Sequence, residues 1–250
     1  ERPRADARFA DEIRALEPEV SVVVAYGHIL PLALLEAPER GSVNVHASLL
    51  PELRGAAPVH WALVRGLERT GVTVIQMTEG MDEGPILLQR EFPILASDTA
   101  SGLYLRLAEL GAEALIVALV LLESGVLEPR PQEDALATYA PKVSREIARI
   151  DWSRPPVDVA NHVRGMDAVP GAWTTQDGEP IKLFCPSVLD GTMDAAPGML
   201  LEPAPAGELQ VATGQGGRLR LDEVQPAGRR RMGSAAWLRG REPLSGARFT

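Results

Sequence analysis

Along its first half the chain alternates short apolar runs with stretches of helical period. Val20–Tyr26 is a nearly continuous valine-rich run, the pattern of a strand covered on both faces of a parallel sheet. Val43–His46, Val72–Met77 and Ile86–Ile94 read as further strands, the last two separated by a turn between Gly80 and Gly84. Ala5–Leu16, a short piece after Pro31, Ala56–Gly66 and Thr99–Leu122 carry apolar residues at helical spacing, with Thr99 as N-cap of the last. Strand and helix in alternation predict a doubly wound α/β domain over residues 1–125.

The pattern stops after Gly125. Residues 126–144, with Pro129, Pro131 and several carboxylates, read as a linker. Beyond it the period shortens. Ala172–Thr175, Ile181–Phe184, Leu209–Thr213 and Leu219–Val224 are strand candidates between Gly, Pro and Asp turns, with one helix at Val157–Met166. Short strands around a single helix predict a small β-barrel, OB-like, over residues 145–250.

Charge separates the two parts. Residues 1–139 carry 11 basic and 21 acidic side chains, while residues 140–250 carry 14 and 13. Different surfaces for different jobs follow from that asymmetry. The single cysteine, Cys185, excludes an internal disulfide and a cysteine-based zinc cluster, which suits a cytoplasmic protein. No apolar run approaches the ~20 residues of a membrane span. Nothing in the apolar pattern asks for more than a monomer.

Asn44 and His46 fall on one face at the end of a strand, where open α/β sheets place ligands. Asp82 sits between Gly80 and Gly84, where backbone can approach a ligand closely. An amide, an imidazole and a carboxylate suffice for acyl transfer to an amine: an oxyanion donor, a proton acceptor and a group that orients it. Spacing alone fits equally a turn-capping Asn44, a core His46 and a turn-forming Asp82. His46 and Asp82 have no third partner for a metal, so no metal is expected. His28, His60 and His162 are given no chemical role.

Longer motifs decide between these readings. VVVAYGHILP (22–31), NVHASLLPELRGAAPVHWAL (44–63) and TGVTVIQMTEGMDEGPILLQ (70–89) resemble the folate-dependent formyltransferases. The Arg54–Pro58 run is most similar to the branch that formylates methionine on initiator tRNA. The likeness continues in Tyr139–Lys142, Ala148–Ser153 and Gln225–Gly228. It implies a Rossmann-like catalytic domain, with Asn44, His46 and Asp82 as catalytic residues and 10-formyltetrahydrofolate as formyl donor. The donor's site would involve Tyr26, Gly27, His28, Ile29 and Leu30, then Ser48, Leu49, Leu50 and Pro51, and finally Thr78, Glu79, Gly80 and Met81. It suggests a cis Leu50–Pro51 bond. It implies initiator methionyl-tRNA as partner, with Arg54, Lys142, Arg145, Arg229, Arg230 and Arg231 as RNA contacts. Other acceptors (an amino-sugar nucleotide, glycinamide ribonucleotide or water) and an inactive RNA-binding fragment are the alternatives.

Members of this family begin with a strand-loop-helix unit bearing a Gly-Thr-Pro motif, whereas this sequence opens on Glu1 inside a helical stretch. The doubly wound domain is therefore expected to be incomplete by roughly 60 residues, the length of about two βα units. Weak stability or inactivity is the matching expectation, because Val20–Tyr26 would lose a neighbour.

Overall fold

The structure, a computed structural model, describes residues 8–202, 207–239 and 246–250. The first three residues of the helix expected at Ala5–Leu16 lie outside that range. Two compact units result. The first comprises the chain up to Val59 with Glu68–Leu95 and Leu103–Lys142, and the second comprises His60–Leu67, Ala96–Gly102 and Val143–Thr250.

Unit 1 is built on a four-stranded sheet of β1 (Ser21–Val23), β2 (Ser42–His46), β3 (Arg69–Gln76) and β4 (Ile86–Pro93), in that spatial order. Helices α1 (Arg8–Arg14), α2 (Leu32–Leu35) and, from Leu103 on, α4 (Ala100–Glu123) belong to this unit, while α3 (Pro58–Val64) belongs from His60 on to the second. β1 and β2 run parallel, but β2–β3 and β3–β4 are antiparallel. The sheet is thus mixed rather than parallel. The β3–β4 connection is too short for the crossover of a dozen or more residues that parallel neighbours require.

The long buried strand expected at Val20–Tyr26 shrinks to three residues at the sheet edge, and Val22 and Val24 are exposed. Positive φ at Ala25 and Gly27 turns the chain out of the strand. β3 is the buried centre: Val72, Thr73, Val74 and Ile75 are all enclosed. On α4, Gly111 lies so close to the sheet that a Cβ would stand 3.1 Å from Val45 Cγ1. A side chain there would require Val45 to give by a few tenths of an ångström.

Residues 126–142 do not run free. Arg130 pairs with Ile86 through two main-chain hydrogen bonds of 2.7 and 2.9 Å. Arg54 N–H donates to Thr138 O at 2.8 Å, and Ala140 N–H to Arg54 O at 2.7 Å. The stretch expected as a linker is therefore a strap across unit 1, because its amides find partners on the 50–57 loop and at the start of β4.

Unit 2 is antiparallel. β5 (Trp173–Gln176), β6 (Glu179–Leu189), β8 (Arg218–Pro226) and β7 (Leu209–Ala212) lie side by side in that order, with β9 (Met232–Gly233) on β8. The edges are linked through short segments. Thr250 exchanges hydrogen bonds with Thr175 of β5, Phe249 N–H donates to Gly198 O, and Gly198 N–H donates to Ala212 O of β7. The sheet curls around a core that includes Val163 and Met166 of α5 (Pro156–Met166), Leu183, Leu219, Leu221 and Trp237 of α6 (Ser234–Leu238). No described helix is long and apolar enough to cross a membrane.

Candidate active site

β2 presents Asn44 and His46 on one face, two residues apart, as its pleat requires. His46 is buried and makes one close contact: Nε2 is 2.9 Å from Leu53 O. A carbonyl only accepts, so Nε2 carries the proton in the neutral ring and the lone pair belongs to Nδ1. Nδ1 faces Asp82 Oδ2 at 3.6 Å. Proton uptake would put a second N–H there, pointing at a carboxylate.

Asn44 Nδ2 donates to Val23 O at 2.9 Å. That bond identifies the amide end of the side chain and commits one of its two N–H groups to the β1 main chain, which leaves the second for an incoming oxygen. Asp82 sits at φ 55°, in the left-handed region that aspartate tolerates better than most residues. Its Oδ2 accepts the Gly55 N–H at 2.8 Å, which ties the Asp82 turn to the loop after β2. Gly55 itself has φ 115°.

The loop between β2 and α3 is fastened from beneath. Thr73 Oγ1 donates to Ser48 O at 2.6 Å while accepting from Leu50 N–H at 3.1 Å and from Gln89 Nε2 at 3.1 Å. Gln89 Nε2 also donates to Leu50 O at 2.7 Å. The Leu50–Pro51 peptide bond is cis. Ser48 and Leu50 are buried in this network, with Leu49 and Pro51 half-buried beside them. Thr73 and Gln89 interrupt otherwise apolar runs, a signal that sequence reasoning passed over.

The expected donor-site loops are open. Tyr26, Gly27, His28 and Ile29 are exposed after β1, with Leu30 buried beneath them, and the Tyr26 and His28 rings meet edge-on at 5.5 Å. Thr78, Glu79 and Met81 are exposed around Gly80, before Asp82.

The expected RNA contacts divide. Lys142, Arg145, Arg229 and Arg230 are exposed. Arg54 is not. Its side chain is 2% exposed, and its Nη2 donates to Gln132 Oε1 and Asp134 Oδ1, each at 2.8 Å. Arg231 is ion-paired with Asp167 at 3.2 Å and with Glu223, and its guanidinium lies 3.9 Å from the Phe184 ring centroid. Arg54 is thus enclosed among internal partners, whereas Arg231 is exposed and shares its guanidinium with Asp167 and Glu223. Two exposed cations of unit 2, Arg145 and Arg149, lie over Trp173, at 5.0 and 5.6 Å from its ring centroid. A cavity of about 340 Å³ beside Trp173 is lined by Arg145 and Lys182 and by no carboxylate. Arg149 and Lys182 are also among the basic side chains of this part of the sequence, where dispersed cations resemble ordinary surface. Among the described residues no three His, Cys, Asp or Glu side chains converge as a metal site would.

Comparison with known proteins matches this layout. The family described as Formyl transferase matches residues 1–119, and the family described as Formyl transferase, C-terminal domain, matches residues 142–242. The methionyl-tRNA formyltransferase of Pelobacter propionicus is 48% identical over 96% of this chain and 73% of its own length. That of Geobacillus thermodenitrificans is 44% identical over 92% of this chain and 72% of its own. Among solved structures, HypX from Aquifex aeolicus in complex with tetrahydrofolic acid superposes with a TM-score of 0.69 at 22% identity, covering 92% of this chain and 40% of HypX. WlaRD, a sugar 3N-formyltransferase, gives a TM-score of 0.65 at 16% identity, covering 87% of this chain and 77% of its own. At those identities the two solved structures show the fold alone. The identity to the curated relatives shows more: the chain belongs to the methionyl-tRNA formyltransferase family.

Proposed function

We propose that this chain transfers the formyl group of 10-formyltetrahydrofolate to the α-amino group of methionine on initiator tRNA, for translation initiation. The observation that carries the reading is Nδ1 of His46 facing Asp82 at 3.6 Å, with an Asn44 N–H uncommitted on the same strand. The methionine amine attacks the formyl carbon, the carbonyl oxygen gains negative charge, and Asn44 donates to that oxyanion. His46 Nδ1 takes the amine's proton, and Asp82 steadies the imidazolium. Collapse breaks the bond from carbon to the folate nitrogen, which leaves with a proton returned to it. Solved relatives in complex with tetrahydrofolic acid and 5-N-formyl-tetrahydrofolate support a folate donor. The exposed side chains of Tyr26, Ile29 and Met81 beside open backbone suit a flat heteroaromatic ring.

The four-stranded sheet is read as part of a doubly wound, Rossmann-like domain and the curled sheet of unit 2 as an OB-like barrel. For the tRNA, phosphate contacts are assigned to Lys142, Arg145, Arg229 and Arg230, joined by Arg149 and Lys182 around Trp173. Salt-sensitive affinity is expected of such contacts. The test is a formylation assay with charged initiator tRNA. Asn44→Ala should lower kcat by about 10²–10³ while donor affinity holds. Full turnover by that variant would sink the assignment, as would formylation of an amino-sugar nucleotide in place of the tRNA.

A further inference from the structure

Gln132 lies in the strap, between Pro131 and Glu133, with nothing in its surroundings along the sequence to mark it. Its side chain nevertheless uses every hydrogen-bonding position it has. Nε2 donates to Asp82 O and to Gly84 O, both at 2.8 Å, so one amide grips the catalytic turn on either side of Glu83. Oε1 accepts from Arg54 Nε at 3.0 Å and Arg54 Nη2 at 2.8 Å. Two donors and two lone pairs are all a carboxamide offers.

The order of the contacts has a mechanical meaning. A guanidinium can only donate, so Arg54 compels the oxygen of Gln132 to face it and the NH₂ to face the turn. Arg54 is itself held by Asp134 at 2.8 Å and by main-chain pairing with Thr138 and Ala140. Asp82 has no regular secondary structure to hold it and occupies the left-handed region, so its carboxylate position depends on what grips its backbone. Gly55 N–H fixes the carboxylate end and Gln132 fixes the peptide end.

We infer that Gln132, oriented by Arg54, is a positioning residue for formyl transfer: it holds the Asp82 turn so that the carboxylate stays facing His46. The inference rests on the formyltransferase reading of the site. It assigns the strap a part in catalysis and gives Arg54 a role inside the site rather than on the tRNA.

The test uses the chain with charged initiator tRNA and 10-formyltetrahydrofolate. Gln132→Glu keeps the shape and the Arg54 partner but removes both N–H donors. Turnover should fall about 10- to 100-fold, the scale of a small misplacement of a catalytic group, with both KM values within about twofold. Combining it with Asp82→Asn should cost no more than Asp82→Asn alone, since both act through one carboxylate. Arg54→Lys, which cannot offer the paired N–H groups, should also lower kcat with the KM for tRNA unchanged; a raised KM at constant kcat would overturn the role given to Arg54. Should Gln132→Glu not fold, Gln132→Met carries the same criteria, and failure of both to fold would overturn the inference in favour of a structural role. Full turnover by Asp82→Asn would sink the reading of the site itself. Loss of turnover in Asp82→Asn with none in a folded Gln132 variant would sink only the positioning role.

Discussion

Asp82 Oδ2 lies 3.6 Å from His46 Nδ1 while accepting the Gly55 N–H at 2.8 Å, so one carboxylate oxygen links the two loops of the site. Because Leu53 O occupies Nε2 of His46, the chemistry at the ring is confined to Nδ1. His46→Ala should reduce kcat by about 10²–10⁴ and leave tRNA affinity unchanged, measured by formylation rate and by filter binding. A binding module without catalysis would show no change in either.

Gly55 is where backbone geometry and the site meet. At φ 115° an added Cβ would stand 2.9 Å from Ala140 O, against main chain that cannot yield. Gly55→Ala should destabilise the protein by about 1–3 kcal/mol in urea unfolding and disturb the N–H that holds Asp82. An unaltered unfolding midpoint would contradict the close approach.

His162 gives unit 2 an acid-sensitive element. Burial is the main cause that lowers its pKa below the ordinary 6.5; the Ala148 backbone hydrogen bond opposes this, Arg154 adds to it and Asp151 opposes it. Its Nε2 is buried without a hydrogen-bond partner. Between the folded value and 6.5 the unfolded chain binds more protons, so stability is complete above about pH 6.5 and is lost as pH falls through the folded value. Thermal midpoints recorded from pH 7.5 to 5 should drop more steeply for the parent chain than for His162→Met. Parallel curves would remove His162 from the account.

Arg231 and its two neighbours should separate in experiment. Arg231→Ala leaves the buried Asp167 carboxylate without that partner and should cost about 1–3 kcal/mol in chemical denaturation. Arg229→Ala and Arg230→Ala remove exposed charges and should leave stability within about 0.5 kcal/mol. Each should instead weaken tRNA binding and flatten its salt dependence. The reverse pattern would place Arg231 on the RNA.

Much of this architecture is legible along the chain because it is local. Helical spacing over Thr99–Leu122 and Val157–Met166 corresponds to α4 and α5, and alternation at Asn44 and His46 puts both on one face of β2. Strand direction is not local. Val72–Met77 and Ile86–Ile94 read as strands from composition, but their antiparallel pairing follows from how short a connection the chain must close. The strap is hard to read along the chain for a related reason. Pro129, Pro131 and the carboxylates describe its local preferences, whereas the hydrogen bonds it completes lie on other elements.

The sequence by itself determined the residue types at β2 and at the Gly80–Gly84 turn, and with them the family. Period, turn chemistry and motif are carried by neighbours along the chain, so they need no fold to be read. Only the tertiary structure decided which of the charged residues face inward. Arg54, Arg145, Arg229 and Arg231 are chemically alike in sequence, yet a buried guanidinium must find acceptors or go unpaired at great cost. Buried Arg54 has Gln132 and Asp134, while Arg231, exposed at the surface, is held by Asp167 and Glu223. Those partners lie 64 to 80 residues away on other elements for all but Glu223, and folding alone brings them together.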